Sequence, residues 1–245
     1  MKLNRNTEVE SLQVSPPDAK PMLPAVPSSE VYLEDCVKAL KRFDDNYFDV
    51  AIVDPPYGLN ISNSEYLGND KNDKRWAGRA NGYRHTKKDW DKNTPTAEYW
   101  EQLFRVSKNQ IVWGGNYFTL PPTQCFIFWY KQNPVANFAD GELAWTSFKK
   151  PALCFDYRYY GGLQGNTSAE TKIHPTQKPK QLYKWILSKF ATEGQTILDT
   201  HLGSGNSAVA AWEEKFSFVG IEINETYYNN AVKHFKEQSA QSRLF

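Results

Sequence analysis

The sequence predicts an α/β fold, an open parallel sheet with helices on both faces. Three observations predict it. Short apolar runs end repeatedly in an acid: Val31–Leu33 before Glu34 and Asp35, Val50–Val53 before Asp54, Thr196–Leu198 before Asp199, and Ser217–Ile221 before Glu222. Segments of helical periodicity separate these runs. Proline- or glycine-rich turns follow two of the acids, at Pro55-Pro56 and at Gly203–Gly205. Strand–helix–strand alternation of this kind builds parallel sheets, and ligands bind outside the carboxyl ends of their strands.

The elements follow in order. Residues 1–30 are polar and hold five prolines, which predicts an irregular arm. The compact part runs over 31–238, with 239–245 as a tail. Val37, Leu40 and Phe43 share one face of a short helix between the first two strands. Trp100, Leu103, Phe104 and Ser107 mark the next helix. Strands are expected at 110–113, 125–129 and, more weakly, 152–157. Leu182, Trp185, Ile186 and Phe190 line a helix with Pro179 at its start. Ala208, Val209 and Trp212 mark the helix after Asp199. Tyr228, Ala231, Val232 and Phe235 mark the last, with Asn224 as N-cap. Insertions are expected near 60–95 and 132–172.

Composition removes several classes. Lys+Arg is 29 against Asp+Glu 28, so any nucleic-acid surface must be a local patch. The three cysteines (Cys36, Cys125, Cys154) form no CxxC pair, against a disulfide framework or a thiolate zinc site, and no metal is expected. No apolar run approaches the ~20 residues of a membrane span.

Three motifs bear on chemistry. Asp199-Thr-His-Leu-Gly203-Ser-Gly205 follows a strand and opens a helix, so its glycines let backbone approach a ligand beside free helical N–H groups. Glu222, closing the next strand, can accept both hydroxyls of a ribose. Asp54-Pro55-Pro56-Tyr57 is a turn stiffened by two prolines. The lone pair of a nucleobase amine is delocalised into its ring. A carboxylate and a backbone carbonyl accepting its hydrogens localise that pair, and an aromatic ring holds the base by stacking. Asp54, the Pro55 carbonyl and Tyr57 supply these parts. His174-Pro175-Thr176-Gln177-Lys178-Pro179 places a cation at a helix start. Taken singly, the three also read as a tight strand–helix turn, a Pro-Pro turn at a sheet edge and a capped helix start.

Together the motifs closely resemble the DNA amino-methyltransferases, which move a methyl group from S-adenosylmethionine to the exocyclic nitrogen of adenine or cytosine. The Asp-Pro-Pro-Tyr motif precedes the glycine motif, as in the family's permuted β class, and the resemblance spans roughly Val31 to Phe235. It implies a Rossmann-like S-adenosylmethionine-dependent methyltransferase fold, mostly parallel with one antiparallel strand. It implies catalytic residues Asp54, Pro55, Pro56 and Tyr57. It implies a cofactor site of Asp35, Asp54, Thr176, Lys178, Asp199, His201, Gly203, Ser204, Gly205, Glu222 and Ile223. Thr200-His201-Leu202 departs from the family's usual Pro-Phe plus small residue, which leaves the contact made by His201 open. Trp129 and Tyr130 are candidates for the target-base pocket, with a core strand as the alternative.

Double-stranded DNA is the implied partner, and the cytoplasm of a bacterial or phage-infected cell the implied location. Residues 71–92 hold eight Lys or Arg against three Asp. Lys71, Lys74, Arg75, Arg79, Arg84, Lys87 and Lys88 are therefore expected to contact phosphates, although a charge run is also a solvated loop. The final Gln241-Ser-Arg-Leu-Phe245 resembles peptides that dock on the bacterial sliding clamp; packing of Leu244 and Phe245 back onto the domain is the alternative. Monomer and homodimer, and a restriction partner or a solitary enzyme, are equally compatible with the sequence.

Asp at position 54 favours N6-adenine, and N4-cytosine is the alternative. C5-cytosine methylation needs a thiolate nucleophile in a Pro-Cys turn, which is absent. Glutamine-amide and RNA methyltransferases with a similar turn usually place the glycine motif first. A nicotinamide-dependent oxidoreductase explains GSGNSA and Glu222 but neither of the other motifs. A catalytically silent DNA-binding module leaves the intact motifs without a use.

Overall fold

The computed structural model describes residues 2–3, 27–59, 92–132, 139–159, 173–174 and 176–241. Its strands are β1 (Lys2–Leu3), β2 (Ser29–Leu33), β3 (Phe48–Val53), β4 (Ser107–Trp113), β5 (Phe126–Tyr130), β6 (Gly141–Thr146), β7 (Leu153–Asp156), β8 (Thr196–Asp199) and β9 (Ser217–Glu222). Its helices are α1 (Cys36–Leu40), α2 (Ala97–Val106), α3 (Lys180–Phe190), α4 (Asn206–Glu213) and α5 (Glu225–Gln241).

All nine strands join one sheet in the order β1-β2-β9-β8-β3-β4-β6-β5-β7. Alternation along β3 sorts the core into two layers, as the period of a strand demands. Val50 and Ile52 pack with Leu182, Ile186, Ala208 and Phe235 of α3, α4 and α5. Ala51 and Val53 pack with Leu40, Tyr99 and Leu103 of α1 and α2. Leu103 is fully buried between α2 and the sheet. Leu103→Ala is therefore expected to cost about 2–5 kcal/mol in urea denaturation, the range for a buried leucine whose cavity cannot collapse.

Helix starts follow local chemistry. The Asp35 side chain accepts from the Lys38 N–H (2.9 Å) and Thr96 from the Tyr99 N–H (3.3 Å). Asn224 accepts from the Tyr227 N–H (3.2 Å), as its type predicts. Pro179, at φ −67° and ψ 146°, immediately precedes α3.

Several expectations are corrected. β6 is the expected antiparallel strand, paired with both β4 and β5, but β1 adds a second by running antiparallel to β2. The first core strand starts ahead of the expected Val31: Ser28, Ser29 and Glu30 are buried, and β2 starts at Ser29. Ser107 opens β4 instead of ending α2. Within 132–172, expected as an insertion, β6 belongs to the central sheet, as does β7, which falls on the strand expected at 152–157. β6 was concealed because Gly-Glu-Leu-Ala-Trp-Thr opens on a glycine and a charge and has little apolar periodicity.

The sheet order has a functional consequence. β3 and β8 lie 140 and more residues apart in sequence yet are parallel neighbours, with Val50 beside Ile197 and Ala51 beside Leu198. The turn after β3 and the glycine turn after β8 therefore leave the same edge of the sheet side by side. That point between diverging strands is where open α/β sheets bind ligands.

Candidate active site

The carboxylate of Asp54, just beyond β3, is gripped on both oxygens. The Tyr57 hydroxyl donates to Oδ1 (2.6 Å) and the Lys178 ammonium to Oδ2. Lys178 is only 3% exposed. Besides Asp54 it meets Glu142 Oε2 at 3.2 Å, and its Nζ lies 5.2 Å from the centre of the Trp113 ring. Lys131 closes the series by pairing with Glu142 Oε1. The result is an alternating chain, Lys131–Glu142–Lys178–Asp54, contributed by β3, β6, the segment before α3 and the end of β5. Burial pushes the Glu142 carboxyl up, but the two ammonium groups outweigh it and hold it at about 2. Burial lowers the Lys178 ammonium, and its two carboxylates more than reverse that, so its pKa is raised. Both groups are thus charged at neutral pH.

Tyr57 is fixed from several sides. Its ring stacks on Tyr117 at 5.0 Å with 19° between planes, and meets Phe118 edge-on at 6.0 Å. Gly114 lies against it with φ +66°, and a Cβ there would stand 2.2 Å from a ring carbon. Burial, with the carboxylates of Asp54 and Glu142 beside it, raises the Tyr57 hydroxyl well above its ordinary value, so it stays a hydrogen-bond donor.

The neighbouring cleft is built by β8 and β9. Asp199 is buried and accepts from the His201 N–H (3.0 Å) and the Ser207 hydroxyl (2.6 Å). Burial lifts its carboxyl to about 7 despite those bonds. Burial likewise drops His201 to about 4, so its ring is neutral at pH 7. Gly203 and Gly205 adopt φ +53° and +79°, where a side chain is strained, and a Cβ on Gly205 would stand 3.0 Å from Ala231. Glu222 accepts from the Gly203 N–H (3.0 Å) and the Asn224 N–H (2.9 Å), tying the glycine turn to the start of α5. Ile223, next to it, is 67% exposed, an apolar platform at the strand end.

Most expected residues converge here. Asp54, Pro55, Pro56 and Tyr57 form one turn; Asp199, His201, Gly203, Ser204 and Gly205 form the next; Glu222 and Ile223 follow β9; Asp35 follows β2. Thr176 contacts His174 (3.3 Å), whose ring covers Gly203. Lys178, expected at the cofactor carboxylate, instead pairs with Asp54 and Glu142. Trp129 is not a pocket wall: it is buried, packs edge-on against Trp113 and donates its Nε1–H to the Tyr157 carbonyl. Tyr130 is half-exposed on the opposite side of β5. The expected phosphate contacts Lys71, Lys74, Arg75, Arg79, Arg84, Lys87 and Lys88 lie outside the described residues, as do the last four residues of the clamp-like peptide. Sequence reading missed Glu142, Lys131 and Tyr117. The Gly114-Gly115 pair was the available signal for Tyr117, because it lets the chain fold against Tyr57. Among the described residues no cluster of His, Cys, Asp and Glu fits a metal ion, and no helix is long and apolar enough to cross a membrane.

Comparison with known proteins agrees with this geometry. Residues 126–233 match the DNA methylase family. The chain is 27% identical over 199 residues to YubD of Escherichia coli (strain K12), covering 79% of this chain and 84% of that protein. It is 23% identical over 245 residues to the type II methyltransferase M.HpaI of Haemophilus parainfluenzae, covering 83% of this chain and 73% of that protein. The crystal structure of the M1.HpyAVI–SAM complex superposes with a TM-score of 0.51 at 19% identity, over 84% of this chain and 98% of that one. With the Asp54–Tyr57 turn set beside the Gly203–Gly205 turn, the chain is similar in sequence and fold to the DNA amino-methyltransferases.

Proposed function

We propose that this protein transfers a methyl group from S-adenosylmethionine to the exocyclic N6 amine of adenine in DNA. The observation that supports this best is the fixed Asp54 carboxylate, 19% exposed, at the edge shared with the glycine cleft. A carboxylate held there accepts a hydrogen of the base amine and directs the nitrogen lone pair out of the ring system. Tyr57 offers a ring face to the extruded base.

The residues present fit the cofactor. Gly203, Ser204 and Gly205 would hold its methionine part above Asp199, Glu222 would take the ribose hydroxyls, and Ile223 with Asp35 would flank the adenine. When bound, S-adenosylmethionine would supply an activated methyl on a sulfonium, with the neutral thioether as leaving group and solvent taking the proton lost from the amine. Asp54 orients that amine and stabilises the positive charge passing onto it. Positioning and preorganised electrostatics account for the catalysis, and no covalent enzyme–base bond is needed.

Asp at the first motif position supports adenine over cytosine. The deciding experiment is transfer of labelled methyl to unmethylated bacterial DNA followed by nucleoside chromatography. Label in N6-methyladenine is the expected outcome. Label in N4-methylcytosine would keep the machinery and reverse the choice of base.

The Asp199 carboxyl near 7 gives a second expectation. The ionised form attracts the cofactor's ammonium, so affinity should rise with pH through 7 and level off above about 8. Below 7 each pH unit costs up to about tenfold. Calorimetry of S-adenosylmethionine binding from pH 6 to 8 measures this, and Asp199→Asn should remove the slope.

A further inference from the structure

The alternating chain Lys131–Glu142–Lys178–Asp54 contains a residue with no role in the scheme above. We propose that Glu142 is a positioning residue, holding Lys178 by a second ion pair so that Asp54 keeps enough electron density to bind the base amine. This rests on the reading of Asp54 as the amine's acceptor.

The argument begins with the lysine. A buried ammonium requires compensation, and Lys178 finds two carboxylates, Asp54 and Glu142 at 3.2 Å. If Asp54 were alone, it would be locked into a one-to-one ion pair. A carboxylate so engaged is a poorer acceptor for a neutral amine. Its Oδ1 is already occupied by the Tyr57 hydroxyl, which leaves the Oδ2 side as the one where competition with Lys178 decides. Glu142 relieves that competition by sharing the ammonium.

Lys131 keeps Glu142 in place. It pairs with the other carboxylate oxygen, and its Nζ also lies 4.7 Å from the Trp129 ring centre. The four charges cancel in pairs. Without Glu142 the two lysines outnumber Asp54 by one charge, and the excess positive charge opposes the charge that develops on the amine during transfer. The fold supports the same assignment. β6 runs antiparallel between β4 and β5, and Glu142 sits opposite Trp129 in register. Its side chain therefore reaches Lys178 from a rigid sheet position and not from a loop.

The test is a double-variant cycle read under single-turnover conditions, with melting temperature and S-adenosylmethionine calorimetry as controls for folding and binding. Glu142→Gln is expected to slow transfer about tenfold, within the range for coupled buried groups, with cofactor affinity kept. In a Lys178→Met background the same change should have no further effect, because Glu142 acts only through the lysine. Independently of activity, NMR of nitrogen-labelled lysine side chains reports on the ammonium. The Lys178 signal, assigned by its loss in Lys178→Met, should broaden by solvent exchange in Glu142→Gln. A rate within about twofold of wild type, or equal slowing in both backgrounds, or an unchanged protected signal, overturns the inference. If Glu142→Gln does not fold, Glu142→Asp, which keeps the charge one methylene short, takes its place in the cycle. Failure of the wild-type protein to label DNA would count against the methyltransferase reading instead, and the NMR signal would still decide the role of Glu142.

Discussion

Replacing Asp54 with alanine is expected to lower methyl transfer by about a thousandfold or more while the protein stays folded and binds S-adenosylmethionine. In the proposed reaction the Asp54 carboxylate accepts from the base amine, so its removal would leave the amine lone pair delocalised into the base. The loss should appear in the single-turnover rate and not in cofactor affinity. The fold should survive because Lys178 retains Glu142 as a counter-ion, although loss of one partner of a buried pair lowers stability. Asp54→Asn keeps the shape and one acceptor oxygen, so it should fall between alanine and wild type. Wild-type rates in Asp54→Ala would remove Asp54 from the chemistry.

A second large effect is expected at Gly114. Its φ of +66° strains any other residue, and the added methyl of Gly114→Ala would lie 2.2 Å from the Tyr57 ring. That ring cannot slide away, because Tyr117 stacks on it and Phe118 meets its edge. Tyr57 must therefore turn off Asp54, and both activity and stability should fall. Gly194 is an internal control: its φ is +85°, but a methyl there meets nothing within 4 Å. Gly194→Ala should cost only the backbone strain, about 1–2 kcal/mol. Gly114→Ala should exceed it in denaturation and, unlike it, should slow transfer by at least about a hundredfold. Equal behaviour of the two variants would mean that the Tyr57 ring has room to move.

The parallel sheet was readable because acids close its strands, at Asp54, Asp199 and Glu222, and glycines or prolines follow. The family resemblance, with catalytic residues in one turn and cofactor residues in the other, implied that both serve one site. Other parts were hidden for physical reasons. Phe126–Tyr130 is apolar at every position, so its sequence has no two-residue period to tell that Trp129 faces the core while Tyr130 faces out. β6 carries Glu142 in a strand, a charge that makes sense only with Lys178 and Lys131 in place. The pairing of Lys178 with Asp54 joins residues 124 positions apart, and spacing within a hexapeptide says nothing about a contact so distant.

That distance also orders events during folding. β3 lies between β4, the next strand of the chain, and β8, which is made long afterwards. Until β8 and the segment carrying Lys178 are synthesised, Asp54 stands at an unfinished sheet edge without its counter-ion. Contacts that close such long loops carry the largest entropic cost and form late. A nascent or truncated chain therefore has the Asp-Pro-Pro-Tyr turn but not the charge chain that equips it, and competence for DNA chemistry arrives with the last strands to join the sheet.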